Sequence, residues 1–168
     1  GGISVLAADA LARAGLDVAP IGAAALARLN DLALPAGTSI SNPIDVPANV
    51  LQAGSASAVS QILDIVSAID RPDAVLIHLN LPVLLSYRHV DILSNVMKAV
   101  GDTKGTHGGT TQFALVLRSD GDPAVEQRKQ TCRLDAVRAG IPVFDDFREA
   151  ASALSALGSR NRFLMRLG

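Results

Sequence analysis

The residues best suited to chemistry lie in one short turn, Ser41–Val46, with the sequence SNPIDV. Pro43 fixes its own φ angle and moves Asn42 out of the helical region, so the backbone of the turn is rigid. Asn42 and Asp45 are therefore displayed from a fixed loop, which is how loops at sheet edges hold ligands. The alternative is that both side chains only hydrogen-bond their own turn. On residue chemistry alone, this structural interpretation is preferred.

A glycine pair, Gly1-Gly2, opens the first predicted helix. Backbone N–H groups and the positive end of the helix dipole at such a position could contact an anion. Two glycines are a weak pattern, however, and a flexible terminus explains them equally well.

The three histidines lie in different settings. His78 lies inside a predicted strand, which favours a core or sheet-face role over a catalytic one. His89 lies on a polar helix face and is typical of a solvated surface residue. His107 lies in the sequence THGGT, where mobile glycines would suit a reactive histidine but are equally common in linkers.

Several familiar active-site patterns are missing from the sequence. The histidines do not have metal-ligand spacing, and Cys132 has no second cysteine to act with it. There is no GxGxxG or Walker-type loop and no nucleophile-elbow serine. Arg118 and Arg128 could clamp phosphates, although isolated arginines usually solvate a surface. Helical spacing with apolar residues predicts that Cys132 is a buried thiol.

Composition limits the class of protein further. A length of 168 residues is that of one ordinary domain with a full core, so we expect a single domain over residues 1–168. The net charge of −1 gives no electrostatic signature for nucleic acid or an acidic membrane surface. A single cysteine suits a reducing compartment and predicts a cytoplasmic protein.

The order of elements predicts the fold class. Predicted helices cover residues 3–14, 23–32, 55–69, 84–100 and 123–139, with a last one after Asp146, and predicted strands cover 74–79, 113–117 and 141–144. Residues 16–21 form an extended run, and residues 35–54 and 101–111 are predicted loops. This alternation predicts an α/β fold with a mainly parallel sheet and helices on both faces. Because a glycine turn in such folds follows a strand, we also expect the natural first strand to precede this sequence.

The ordered motifs resemble the acyl-CoA synthetases of the nucleoside-diphosphate-forming type, relatives of succinyl-CoA ligase. The stretches that carry the resemblance are GG with VLAADA at residues 1–10, AGL at 14–16, NPIDV at 42–46, DAVLI at 73–77, AGIPVF at 139–144 and EAASAL at 149–154. Together they span nearly the whole chain. The resemblance implies a flavodoxin-like, Rossmann-like domain, equivalent to the C-terminal domain of the succinyl-CoA ligase β subunit.

The resemblance also implies a function. The family makes an acyl-CoA thioester from a carboxylic acid, CoA and ATP with magnesium, through an acyl phosphate and a phosphohistidine. That histidine has no counterpart here, so this piece is expected to be inactive alone and to bind no cofactor tightly. Its implied partners are the CoA-binding and ATP-grasp-like domains or subunits of the same synthetase. Assembly into a homo-oligomer is a further alternative. Gly1, Gly2, Asn42 and Asp45 are the residues implied near the acyl or phosphate site.

One stretch departs from the family pattern. The succinyl-CoA ligase β subunit has a glycine pair after the central strand, whereas this sequence has Asn80-Leu81-Pro82-Val83. Pro82 removes an N–H group and Leu81 adds bulk, so direct anion binding by the following helix is in doubt. Two other functions remain open: a non-catalytic regulatory or scaffold domain, as in relatives fused to an acetyltransferase, and a free-standing flavodoxin-like binding module.

Overall fold

The computed structural model describes residues 2–52 and 56–165. The described helices are α1 (Gly2–Arg13), α2 (Ala23–Asp31), α3 (Ala48–Gln52), α4 (Ala56–Ile65), α5 (Leu81–Leu85), α6 (Ile92–His107), α7 (Pro123–Arg138) and α8 (Phe147–Met165). The described strands are β1 (Ala74–Asn80), β2 (Gln112–Arg118) and β3 (Val143–Phe144). A π-helical turn, Val66–Asp70, follows α4 directly.

The three strands form one parallel sheet in the order β1-β2-β3. The long pairing runs from Ala74 opposite Gln112 to Asn80 opposite Arg118. The short strand β3 pairs through two residues only, with Leu115 opposite Val143. The predicted α/β fold with a parallel sheet and surrounding helices is confirmed.

The central strand β2 forms the middle of the core. Residues 113–117 are all buried, as expected when helices cover both faces of a parallel sheet. On one face, Phe113, Leu115 and Leu117 belong to a cluster that includes Leu93 and Val96 of α6. On the other face α8 packs against β2 and β3. The result is three layers with the sheet in the middle.

Two helices begin where the sequence predicts them, one after β2 and one after β3. Asp122 accepts hydrogen bonds from the backbone N–H groups of Ala124 and Val125 at the start of α7. Asp146 does the same at the start of α8 for Arg148 and Glu149. Each carboxylate satisfies two N–H groups that the first helical turn leaves without partners. Both helices therefore begin at fixed positions at the carboxyl edge of the sheet.

The prediction of one helix over 84–100 was wrong. The helical turn α5 ends at Leu85, and α6 begins afresh at Ile92. Asp91 starts the second helix, because its carboxylate accepts hydrogen bonds from both the backbone N–H and the hydroxyl of Ser94. This local cap begins a separate helix where apolar periodicity alone indicates continuity.

The predicted loop over 101–111 was also wrong, because α6 continues to His107. Gly101 and Gly105 weaken helix formation locally. Tertiary contact compensates: Thr103 is buried, and its hydroxyl donates to the Asp64 carboxylate of α4 at 2.9 Å. The predicted loop over 35–54 likewise contains a helix, α3, whereas residues 16–21 form no regular element.

Cys132 is buried on the inner face of α7, as predicted. Burial raises the pKa of the Cys132 thiol to about 11, so the reactive thiolate is disfavoured at neutral pH. Among the described helices, none is long and apolar enough to cross a membrane.

Candidate functional site

The predicted polar turn is closed by backbone hydrogen bonds. Ser39 N–H donates to the carbonyl of Asp45 at 2.9 Å, and Asp45 N–H donates to the carbonyl of Ser39 at 3.0 Å. These two bonds form an isolated antiparallel bridge, and the Asn42-Pro43 peptide bond between them is cis. The turn thus holds Asn42 at its tip and Asp45 at its base.

Asn42 fastens the turn to a different segment. Its side-chain amide donates a hydrogen bond to the carbonyl of Ala19 at 2.8 Å. Ala19 lies between α1 and α2, so Asn42 joins the turn to the connection after α1 rather than to its own backbone. Asn42 is exposed at this junction.

Asp45 faces a histidine on the sheet. His78 lies in β1, two residues before the strand ends, and is partly buried. Its ring contacts Phe147, the first residue of α8, with ring centroids 5.1 Å apart. Burial lowers the pKa of His78, Arg118 lowers it further, and the Asp45 carboxylate opposes both effects. Asp45 and Arg118 therefore shift the pKa of the same imidazole in opposite senses.

Asp45, His78 and Arg118 form what we call the carboxyl-edge cluster. β1 and β2 are parallel and end together, with Asn80 opposite Arg118, so the cluster lies at the carboxyl edge of the sheet. In open α/β sheets, ligands bind outside the carboxyl ends of the strands. A neutral imidazole there can donate or accept a hydrogen bond, and the exposed guanidinium of Arg118 offers a planar fork to a carboxylate or phosphate.

The predicted glycines contribute less to this site. Gly1 lies outside the described residues. Gly2 is the first residue of α1 and is exposed, and an added Cβ at Gly2 would meet no atom within 4 Å. Steric crowding therefore does not require glycine at position 2, and the anion-contact role of the pair stays a prediction.

The other polar candidates lie elsewhere. His89 is exposed, as predicted, but in the link between α5 and α6 rather than on a helix. His107 is the last residue of α6, not part of a mobile loop. Arg128 of α7 is paired with Asp91 at 2.6 Å and beside Ser94 at 2.8 Å, so it joins α7 to α6.

The helix after β1 is poorly suited to holding an anion, as the sequence indicated. α5 has five residues, carries Pro82 in its first turn and has no side-chain cap at Asn80. Within residues 2–52 and 56–165, no group of three histidine, cysteine, aspartate or glutamate side chains could hold a metal ion.

Sequence reasoning treated His78 and Arg118 separately and did not bring them together with Asp45. A signal was present, because His78 and Arg118 each stand at or just before the end of a predicted parallel strand. The carboxyl ends of such strands meet at one edge of the sheet. His78 and Asp45 are 33 positions apart in the sequence, as their residue numbers show. No local pattern predicts the electrostatic interaction between them.

No protein-family model matches the sequence, and no curated protein does. Solved structures do share its fold. PH0766 from Pyrococcus horikoshii OT3 matches over 94% of this chain with a TM-score of 0.65 and 20% identity. Acetyl-coenzyme A synthetase 1 of Ca. Korarchaeum cryptofilum, described as dinucleotide forming, matches over 96% with a TM-score of 0.65 and 18% identity. The same synthetase in complex with phosphate and ADP gives the same values.

These likenesses establish the fold of the chain. The resemblance expected from the motifs is confirmed at this level, since an acyl-CoA synthetase stands among the structural neighbours. This chain spans about a third of each neighbour, 33% of PH0766 and 32% of the apo synthetase. It therefore corresponds to one domain-sized part of those longer chains.

Proposed function

We propose that this chain is the ligase domain of a nucleoside-diphosphate-forming acyl-CoA synthetase and acts together with other domains of that enzyme. The observation that supports the proposal most is the fold likeness over 96% of this chain to part of an acetyl-coenzyme A synthetase. The ordered motifs, from the glycine pair to the NPIDV turn, point to the same family. In this proposal the enzyme works in the cytoplasm, which suits the free thiol of Cys132.

The proposed reaction joins a carboxylic acid to CoA at the expense of ATP. ATP supplies a phosphoryl group, which passes by way of a histidine in another domain to the carboxylate, and ADP is released. The thiol of CoA then displaces phosphate from the acyl phosphate and forms the thioester. In this proposal CoA, ATP and magnesium are bound mainly by the CoA-binding and ATP-grasp-like partners.

The role proposed for this chain is recognition at a domain boundary. Arg118 carries positive charge at the carboxyl edge, where a carboxylate or phosphate could be held by charge-assisted hydrogen bonds. The backbone of Asp45 closes the polar turn with Ser39, and Asn42 fastens that turn to the connection after α1. Each residue positions or binds, and none of them supplies a nucleophile.

The test is an assay of the full-length protein with ATP, magnesium, CoA and a panel of short carboxylic acids. Consumption of the CoA thiol together with ADP release is the expected result. Replacing Arg118 with Gln should lower kcat/KM about tenfold or more, as expected for loss of one charged hydrogen bond. Arg28→Gln is the matched control, because Arg28 is an exposed arginine on α2 whose partner Asp31 lies 3.9 Å away.

Absence of thioester formation with every acid would contradict the proposal and favour a regulatory or scaffold domain. The full-length protein could be active while Arg118→Gln and Arg28→Gln have the same kcat/KM. In that case the family assignment stands and the proposed role of the carboxyl edge is wrong. Uptake of flavin by the isolated chain would favour a free-standing binding module instead.

A further inference from the structure

A cavity of about 330 Å³ lies beside the link that joins α5 to α6. Its apolar wall comes from the end of α5, the link and the start of α6, and consists of Leu84, Leu85, Val90 and Ile92. Each member of this wall is buried in the core or packs against it, so the wall is fixed. The polar lining consists of Tyr87, Arg88, Asp91 and Arg128. An apolar wall with a few convergent polar groups is the usual construction of a small-ligand site.

Arg128 of α7 is held in place, yet part of its hydrogen-bonding capacity is unused. A single nitrogen, Nη2, donates to the Asp91 carboxylate at 2.6 Å and to the Ser94 hydroxyl at 2.8 Å. The Nε and Nη1 groups donate to no residue within 2–52 or 56–165. The Arg128 side chain is 35% exposed and lines the cavity, so a ligand can reach it. A guanidinium that is already oriented loses less conformational entropy when it binds an anion.

The charges around the cavity favour an anion. Asp91 already has Arg128 as its partner. Arg88 is exposed and forms no ion pair with any residue that the structure describes. Two guanidinium groups and one carboxylate leave one positive charge at the cavity. A ligand with a single negative charge balances it, whereas a cation would be repelled.

Tyr87 and the size of the cavity define the body of the ligand. Tyr87 is partly buried and packs against the core, so it adds apolar contact area beside the apolar wall. Its hydroxyl forms no hydrogen bond with the described part of the chain. A volume of about 330 Å³ holds roughly ten non-hydrogen atoms at about 30 Å³ each, the share of one water molecule in the liquid. The ligand is therefore larger than an inorganic anion.

We propose that this cavity, between the α5–α6 link and α7, binds an organic monoanion, a carboxylate on an apolar body of roughly ten non-hydrogen atoms. The carboxylate accepts hydrogen bonds from Arg128 and Arg88, and the apolar body lies against Tyr87. The site is separate from the carboxyl-edge cluster. No member of that cluster lines the cavity, and His78 contacts α8 on the other side of the sheet. The inference does not depend on the proposed reaction, because it concerns binding alone.

The test places 3-fluorotyrosine at position 87 of the full-length protein and follows its fluorine NMR signal during titration. The probes are phenylacetate and octanoate, two monoanions of the proposed size. A saturable shift with at least one of them, at concentrations up to about 10 mM, is the expected result. The neutral amide of the acid that binds should have at least tenfold lower affinity, because it lacks the charge-assisted hydrogen bonds. No saturable shift with either acid, or equal affinity for acid and amide, would overturn the proposal.

Arginine variants assign the signal to this cavity. Arg88→Gln should weaken binding about tenfold or more, and it removes no ion pair with the described residues. Arg128→Gln should weaken binding at least as much. Arg138→Gln is the matched control, because Arg138 also lies on α7, is 77% exposed and does not line the cavity. Equal affinity in Arg88→Gln, Arg128→Gln and Arg138→Gln would show that the anion binds elsewhere and would contradict the proposal.

Discussion

At the scale of single residues, His78 makes stability depend on pH. Its pKa is lowered by burial first and by Arg118 second, so the folded state binds the proton less readily than the unfolded chain. When the unfolded state binds more protons, stability rises with pH. The contribution of His78 is therefore fully present above the ordinary histidine pKa, and it is lost as the pH falls through and below that value.

We predict that replacing His78 with Phe removes part of the loss of stability between pH 7.5 and pH 5. Phenylalanine keeps a ring against Phe147 but cannot take a proton. Urea unfolding midpoints at the two pH values measure the effect. His89→Phe is the control, because His89 is exposed and lies outside the carboxyl-edge cluster. An equal pH dependence in the native protein and in His78→Phe would show that His78 is not the responsible group.

At the scale of elements, the start of α2 depends on a distant carboxylate. Gly22 precedes α2 and has no side chain to cap the helix, so Asp70, at the end of the π-helical turn, accepts its N–H at 3.0 Å. A Cβ at Gly22 would lie 2.6 Å from an oxygen of Asp70, which would have to move and give up that bond.

We predict that Gly22→Ala destabilises the protein by about 1 kcal/mol, the usual value of a lost capping bond. Gly101→Ala within α6 should instead stabilise by about 0.5–1 kcal/mol, because no atom lies within 4 Å of the new Cβ and alanine favours the helix. Chemical denaturation of both variants tests the contrast. In the Asp70→Ala background the cost of Gly22→Ala should largely disappear, and a cost that persists would exclude Asp70 as its cause.

The elements also show what the sequence could and could not predict. Apolar periodicity and the local caps at Asp122 and Asp146 place the sheet, α7 and α8 correctly, because those signals lie within a few residues. The break before Asp91 was missed, since one side-chain cap overrides a continuous apolar pattern. The continuation of α6 through its glycines depends on Thr103 bonding to Asp64, a contact between helices that no window of sequence contains. The electrostatic interaction of Asp45 with His78 was missed as well, because the two residues are far apart in the sequence.

At the scale of the whole molecule, burial falls from the middle strand outwards. Residues 113–117 of β2 are all buried, whereas α1 has no buried residue and lies at the margin. Local opening needs less free energy where few apolar groups are buried.

We predict that in the 168-residue chain the amides of α1 exchange with solvent at least tenfold faster than those of β2. The first turns of α8, with Ala150 and Ala151 buried, should resemble β2 and serve as the control. Peptide-level hydrogen exchange measures both regions in one experiment. Equal protection of α1 and β2 would mean that the margin and the centre open as one unit.

The buried thiol of Cys132 allows opening of the domain to be measured by chemical labelling. The Cys132 thiol is buried on α7 and its pKa is raised to about 11. A thiol reagent at neutral pH therefore reacts with it only when α7 moves away from the core. It is also the single cysteine of the chain, so every molecule labelled by the reagent records one such departure at one known place. The labelling rate can therefore report how often the core of this domain opens, with no dye or engineered handle added.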